Sequence, residues 1–80
     1  MKITGVKCKA CNTIIYSRAH HDFHYCPCGK TFIDGGFDYL RFGYEPDAGK
    51  PEVVDIEVDA TKEEIFNDWN RRINKMGTIK

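Results

Sequence analysis

Hydrophobic and polar positions alternate in short blocks through most of the chain and take up a helical period near its end. Residues 2–7 (KITGVK) predict a first strand, and residues 14–16 a second. Between them Cys8-Lys-Ala-Cys11 reads as a turn. Residues 17–22 are polar and predict a loop. Residues 23–25 (FHY) then lead into Cys26-Pro-Cys28-Gly29. Residues 30–34 and 39–44 predict two strands joined by a tight turn at Gly35-Gly36, because glycine reaches positive φ at little cost. Residues 45–52 carry two prolines and a glycine and predict a loop. Residues 53–59 alternate cleanly, with Val54, Ile56 and Val58 on one face and Asp55, Glu57 and Asp59 on the other. That pattern predicts a half-buried strand with an acidic, wet face.

The final segment predicts a helix. Thr61 and Glu64 have the spacing of a capping box, in which each side chain satisfies the other's free amide. Ile65, Phe66, Trp69, Ile73 and Met76 recur as one apolar stripe, expected to bury Trp69 against the sheet. Glu63 and Glu64 fall near the positive end of the helix dipole, with Arg71, Arg72 and Lys75 near the negative end. Gly77 is placed to end the helix.

An 80-residue chain buries little apolar surface, so a metal or disulfide staple commonly supplements its core. Hydrophobic residues at 41% and charged ones at 30% exclude a disordered chain. No apolar run reaches the length of a membrane span, and the N-terminal residues lack a signal-peptide core. These features predict a cytoplasmic location, where four cysteines point to a metal before disulfides. Cys8-x2-Cys11 is followed after fourteen residues by Cys26-x-Cys28. Structural zinc takes four tetrahedral ligands and favours thiolate, so Cys8, Cys11, Cys26 and Cys28 predict one structural zinc ion. In an extended segment Cys26 and Cys28 would face the metal together, with Pro27 pointing away and Gly29 relieving crowding. The competing reading is four reduced thiols packed partly as core. A redox Cys-x2-Cys is disfavoured because no helix starts at Cys8 to activate a thiolate.

The fold class predicted is α+β: a small zinc-ribbon-like antiparallel β core, an added strand, and a C-terminal helix covering the sheet. Residues 1–80 read as one domain, with a zinc-ribbon hairpin part at 1–44, a loop at 45–52, and a strand plus helix at 53–80. Cys8-x2-Cys11, His21-Asp22-Phe23, Cys26-x-Cys28-Gly29 and Asp34-Gly35-Gly36-x-Asp38-Tyr39-Leu40-Arg41 together resemble a group of uncharacterised zinc-ribbon proteins from bacteria and phages. The resemblance spans about half of the chain. It implies a metal-bound ribbon of bacterial or phage origin, residing in the host cytoplasm if phage-encoded, and it implies no activity.

Function is less sharply drawn. His20, His21 and His24 sit near Cys26, and a histidine there is expected to hydrogen-bond a cysteine sulfur or a carbonyl rather than to bind metal, since four cysteines complete the tetrahedron. Zinc deaminases need a His-x-Glu and a Pro-Cys-x2-Cys, and neither occurs. A closed four-cysteine site leaves no position to activate water, so the chain is expected not to be an enzyme. In the segment 34–41, Tyr39 and Phe42 are expected under the helix, Asp34, Asp38 and Arg41 around the turn, and Phe37 exposed. Residues 1–44 hold six Lys/Arg against three acids and residues 45–80 six against nine, so the halves carry +3 and −3 and sum to zero. That balance favours a protein partner, and a phage-encoded modulator of a host machine is one such role. The alternative is a nucleic-acid-binding ribbon using Lys7, Lys9, Arg18, Lys30 and Arg41 with Tyr16, Phe23 and Tyr25, although weakly, because the basic excess is small. Neither a membrane nor a small-molecule substrate is suggested.

Overall fold

The computed structural model describes residues 1–19, 22–36 and 39–79. The chain is mostly antiparallel sheet with one short helix, an α+β arrangement. Eight elements follow in order: β1 (Lys2–Lys7), β2 (Ile14–Ile15), β3 (Asp22–Tyr25), β4 (Thr31–Gly35), β5 (Phe42–Tyr44), β6 (Glu52–Glu57), α1 (Lys62–Asn70) and β7 (Thr78–Ile79). They form two sheets rather than one. The first has the order β6-β1-β2-β7 and the second β3-β4-β5.

The predicted strands at 2–7, 14–16, 30–34 and 53–59 each find a counterpart within a residue or two. β6 pairs with β1 along its whole length, from Lys2 opposite Glu57 to Lys7 opposite Glu52. Its alternation holds: Val54, Ile56 and Val58 are half-buried, while Asp55, Glu57 and Asp59 are exposed. Residues 22–25, read partly as loop, form β3 and pair with β4. The returning strand is shorter than predicted, yet the hairpin is closed by Asp34 N–H donating to Arg41 O at 2.8 Å. Phe37 and Asp38 of that turn lie outside the described residues.

Two small cores result. In one, Val6, Cys8, Ile15, Cys26 and Ile33 are buried, with Cys11, Leu40 and Phe42 packed against them. Phe42 therefore packs beside the cysteines and not beneath the helix. The other joins Ile3, Tyr16 and Ile65, with Ile56, Val58 and Met76 alongside. Ile65 is how the helix covers the first sheet.

The helix itself corrects the prediction. Its N-terminus is the expected capping box: Glu64 N–H donates to Thr61 Oγ1 and Thr61 N–H to Glu64 Oε1, each at 3.1 Å. Its end comes early, at Asn70. Arg72 and Asn74 take positive φ, and the amides of Ile73 and Asn74 fold back onto Asp68 O. Lys75 and Met76 then donate their amides to the Asp68 carboxylate, at 2.9 and 3.0 Å. Asp68 thus collects the segment that a continuing helix would have extended. Arg71, Arg72 and Lys75 do not form a basic last turn, Ile73 is 48% exposed, and Phe66 is exposed as well. Trp69 is only half-buried, against the expectation of a buried core residue. Gly77 does not cap the helix. Its φ of +96° lets the chain pass Arg18 and begin β7, which pairs with β2. Among the described residues no helix is long and apolar enough to cross a membrane.

Candidate metal centre and the adjoining ionic junction

The four cysteines converge where the two sheets meet. Cys8 follows β1 and Cys11 lies in the turn before β2; Cys26 and Cys28 lie between β3 and β4. Their sulfurs all lie within 4.8 Å of one another. Cys28 Sγ is 3.2 Å from Cys26 Sγ and 3.6 Å from Cys8 Sγ.

Each pair sits on a tight loop closed by backbone hydrogen bonds. Cys8 N–H donates to Thr13 O and Asn12 N–H to Cys8 O, with Asn12 at a φ of +60°. Cys26 N–H donates to Thr31 O and Gly29 N–H to Cys26 O, with Gly29 at +75°. Residues 26–29 are therefore a turn, not the extended stretch expected from the one-residue spacer. The turn, rather than a period of two, brings Cys28 back to the cluster. Gly29 relieves no crowding, since a Cβ there would meet nothing within 4 Å. It supplies the left-handed backbone the turn requires.

The surroundings favour a sulfur anion at Cys8 and at Cys11. Burial pushes the Cys8 thiol up, but the Thr31 hydroxyl and the amides of Cys11 and Ala10 outweigh it and hold the thiol below its ordinary value. Burial likewise opposes ionisation of Cys11, yet the Thr13 hydroxyl and amide, with Cys28 and Cys8, draw it down to about 6. The Lys30 amide favours a thiolate at Cys28, but the neighbouring Cys26, Cys11 and Cys8 sulfurs push that thiol up to about 12. Like charges this close cannot all form without a compensating cation. Thr31 Oγ1 is buried beside Cys8. A soft, four-sulfur donor set with amides aimed at the sulfurs fits a thiophilic ion such as zinc. The four cysteines are thus positioned to hold one metal ion.

A second junction ties the same two sheets together. Arg18, just after β2, is 7% exposed. Its Nε donates to Asp22 Oδ2 on β3 at 2.8 Å, and its Nη1 to Asp68 Oδ2 on the helix, also at 2.8 Å. Nη1 further donates to Asn74 Oδ1 at 3.1 Å. Burial raises the carboxyl of Asp22, but His24 and Arg18 overcome it and hold that group well below the usual carboxylate range. At Asp68 burial is likewise outweighed by Arg18 and the amides of Lys75 and Met76, so its carboxyl is lowered too. Arg18 was expected in a basic stripe. It is consumed here, and Tyr16, expected for stacking, is buried.

His24 lies in β3. Its Nε2 is 3.2 Å from Gly77 O and its Nδ1 3.4 Å from Asp22 Oδ1, so it belongs to the ionic junction and not to the cysteines. His20 and His21 lie outside the described residues. The junction was missed by sequence reasoning. One signal was present: Asp68 sits beside the core-facing Ile65 and Trp69, and a carboxylate in such a place needs a cation.

The outer face of the second sheet carries three packed rings. Phe23, Tyr25 and Phe32 have centroids 5.1 to 5.5 Å apart, and Phe32 covers Gly43. Phe23 and Tyr25 are 51% and 53% exposed.

No curated protein and no solved structure shows significant similarity to the chain. A family described as "Domain of unknown function (DUF7695)" matches residues 1–44, the stretch that holds all four cysteines and the three-ring face, and the chain belongs to that family.

Proposed function

We propose that Cys8, Cys11, Cys26 and Cys28 hold one structural zinc ion in a zinc-ribbon-like site, and that the domain it braces is a binding module rather than an enzyme. The observation that carries the metal reading is the convergence of four sulfurs from two separate sheets within 4.8 Å. A tetrahedral ion with Zn–S bonds of about 2.3 Å places its sulfurs about 3.8 Å apart. Four protein ligands close the coordination sphere and leave no place for a reacting water, which supports a bracing role. Four unpaired cysteines suit the reducing cytoplasm.

The binding face is the outer side of β3 and β4. Phe23 and Tyr25 hold no core together, and two half-exposed rings side by side are a common interface feature. The test has two arms. Elemental analysis of protein purified without chelator should give one zinc per chain; a metal-free protein, or two disulfides by mass spectrometry, would end the reading. The paired substitution of Phe23→Ala and Tyr25→Ala should abolish partner binding while leaving zinc content and melting nearly unchanged. Unaltered partner binding would move the binding face elsewhere.

A further inference from the structure

The four cysteines are not equally placed. Cys8 and Cys26 are buried and Cys11 is half-buried, whereas Cys28 is exposed. Pro27 and Gly29 on either side of it are exposed as well, and a Cβ at Gly29 would meet nothing within 4 Å, so the turn at 26–29 stands open to solvent. Cys26 Sγ lies 3.2 Å from Cys28 Sγ within that turn, and Cys8 Sγ lies 3.6 Å away across the sheets. We propose that this corner is an oxidation site: a hydroperoxide oxidises Cys28, Cys28 bridges to Cys26, and the loss of both ligands releases the metal. The proposal rests on the reading of the four cysteines as a zinc site, and it adds that site's regulation.

Three features select this pair. Oxidation of a thiolate follows its exposure, and a cysteine that senses oxidants commonly stands beside a second that resolves it. Cys28 is the exposed member and Cys26 its buried neighbour. The backbone suits a bridge as well. An extended segment would hold residues two apart at about 7 Å between Cα atoms, near the upper limit for a disulfide. The turn, closed by Gly29 N–H donating to Cys26 O at 2.9 Å, shortens that span. Finally, a Cys26–Cys28 bridge stays within one loop and moves neither sheet, whereas a Cys8–Cys28 bridge would draw the two sheets together.

The Cys28 thiolate attacks one peroxide oxygen. The O–O bond breaks, an S–O bond forms, and the departing hydroxide takes up a solvent proton and leaves as water. Cys28 is then a sulfenic acid. The Cys26 thiolate attacks its sulfur, forming the S–S bond and expelling hydroxide, which a second proton converts to water. Two electrons pass from the two sulfurs to hydrogen peroxide, which ends as two waters. Cys8 and Cys11 alone are half of the ligand set that a structural zinc ion needs, so the ion is lost. Cys26 and Cys28 lie between β3 and β4, so the strands that carry Phe23, Tyr25 and Phe32 lose their brace in the same event.

The experiment treats the zinc-loaded full chain with hydrogen peroxide beside a chromophoric zinc indicator. One zinc should be released per peroxide consumed, and dithiothreitol with added zinc should restore the loaded chain. Once free thiols are alkylated, tryptic cleavage after Lys7, Lys9, Arg18 and Lys30 separates Cys8 from Cys11 but keeps Cys26 and Cys28 together on the peptide 19–30. At half release that peptide should be unalkylated and lighter by two hydrogens, with Cys8 and Cys11 still alkylated. Cys28→His keeps a fourth zinc ligand but cannot bridge, so it should slow release at least about tenfold, while Cys11→His should release at the native rate. If Cys28→His fails to load zinc, the peptide map of the native chain decides alone. A first bridge linking the Cys8 and Cys11 peptides, or native-rate release from Cys28→His, would overturn the proposal. Zinc retained through excess peroxide would overturn it too, while leaving the metal reading intact. A chain that purifies without zinc removes the metal reading before any oxidant is added.

Discussion

Two junctions fasten the same pair of sheets, and they differ in how they work and how they are written in the sequence. At one, Cys8 and Cys11 from the first sheet meet Cys26 and Cys28 from the second. At the other, Arg18 beside the first sheet meets Asp22 on the second and Asp68 on the helix. The cysteine junction is positioned to take a metal ion from outside the chain, and its strength would then be that ion's binding free energy. The ionic junction is self-contained. Its three charges leave one net negative charge, offset by backbone amides from Arg18, Lys75 and Met76. A buried network of this kind seldom adds much net stability relative to an apolar core, but breaking it by half is costly. On the proposed reading a metal would supply stability, while the ionic knot supplies arrangement, fixing where the helix stops and where β7 begins.

Removing the metal should have the largest effect. Structural zinc sites in small domains are worth roughly 10 kcal/mol or more, as much as the whole stability of a domain this size. Chelation, or Cys8→Ser at the buried ligand, should leave a chain without the cooperative thermal transition seen by circular dichroism. A metal-free chain that melts as sharply as the loaded one would mean the ionic junction alone suffices, and the comparison would collapse.

Next comes Arg18→Ala, which strands two buried carboxylates and should cost about 3–5 kcal/mol in urea unfolding of the zinc-loaded protein. The metal should stay bound in the native state, because the hydrogen bonds and ion pairs of Arg18 among the described residues go to Asp22, Asp68 and Asn74 and to no cysteine. A cost below about 1 kcal/mol, the range of exposed pairs, would show the junction to be a surface pair in effect.

The asymmetry in legibility follows from the same chemistry. Cysteine is scarce and its pairing is local, so Cys8-x2-Cys11 and Cys26-x-Cys28 announce themselves. The alternation of Val54, Ile56 and Val58, and the capping box at Thr61 and Glu64, were equally readable because each is a short-range pattern. Arg18 and Asp68 are fifty positions apart, and each looks like an ordinary solvated charge on its own. Apolar spacing then misled: Ile73 and Met76 continue the helical period in sequence, but Asp68 captures the amides of Lys75 and Met76 and turns the chain back. The split into two sheets was hidden for a related reason, since nothing local says which hairpin edges remain unpaired.

Acid should separate the junctions on a single sample. Asp22 and Asp68 have folded-state pKa values below the unfolded carboxylate value of about 3.9. Their stabilisation is therefore complete above roughly pH 4 to 5 and drains as pH falls toward the folded values, where both states are protonated. Thiolate ligands are protonated in acid too, releasing metal. Zinc release can be followed with a chromophoric chelator, and loosening of the helix end by the fluorescence of Trp69. Asp68→Asn should flatten the fluorescence change below pH 4 while leaving the zinc-release midpoint where it was. Movement of both together would mean that the two junctions form one cooperative unit.

The smallest expected effect distinguishes the junctions by a single methyl group each. Gly29 closes the Cys26–Cys28 turn at a φ of +75°, and Gly77 threads the chain past Arg18 at +96°. Both positions strain any L side chain, at about 1 kcal/mol for alanine in this region. The surroundings then diverge. A Cβ at Gly29 meets nothing within 4 Å, so Gly29→Ala should cost only that strain, and Gly29→Asn less, because asparagine tolerates the left-handed region. A Cβ at Gly77 stands 3.2 Å from Arg18 Cδ and Nε, while His24 Nε2 at 3.5 Å is in ordinary contact. Arg18 cannot yield without lengthening its bonds to Asp22 and Asp68, so Gly77→Ala should cost more than Gly29→Ala, about 2 kcal/mol against about 1. Urea unfolding of the two variants, both zinc-loaded, measures the difference directly. Equal costs would show that Arg18 has room to move and that the knot is looser than its distances imply. In an Arg18→Ala background the excess cost at Gly77 should vanish while the cost at Gly29 stays, which assigns the crowding to the guanidinium stem and to nothing else at that corner.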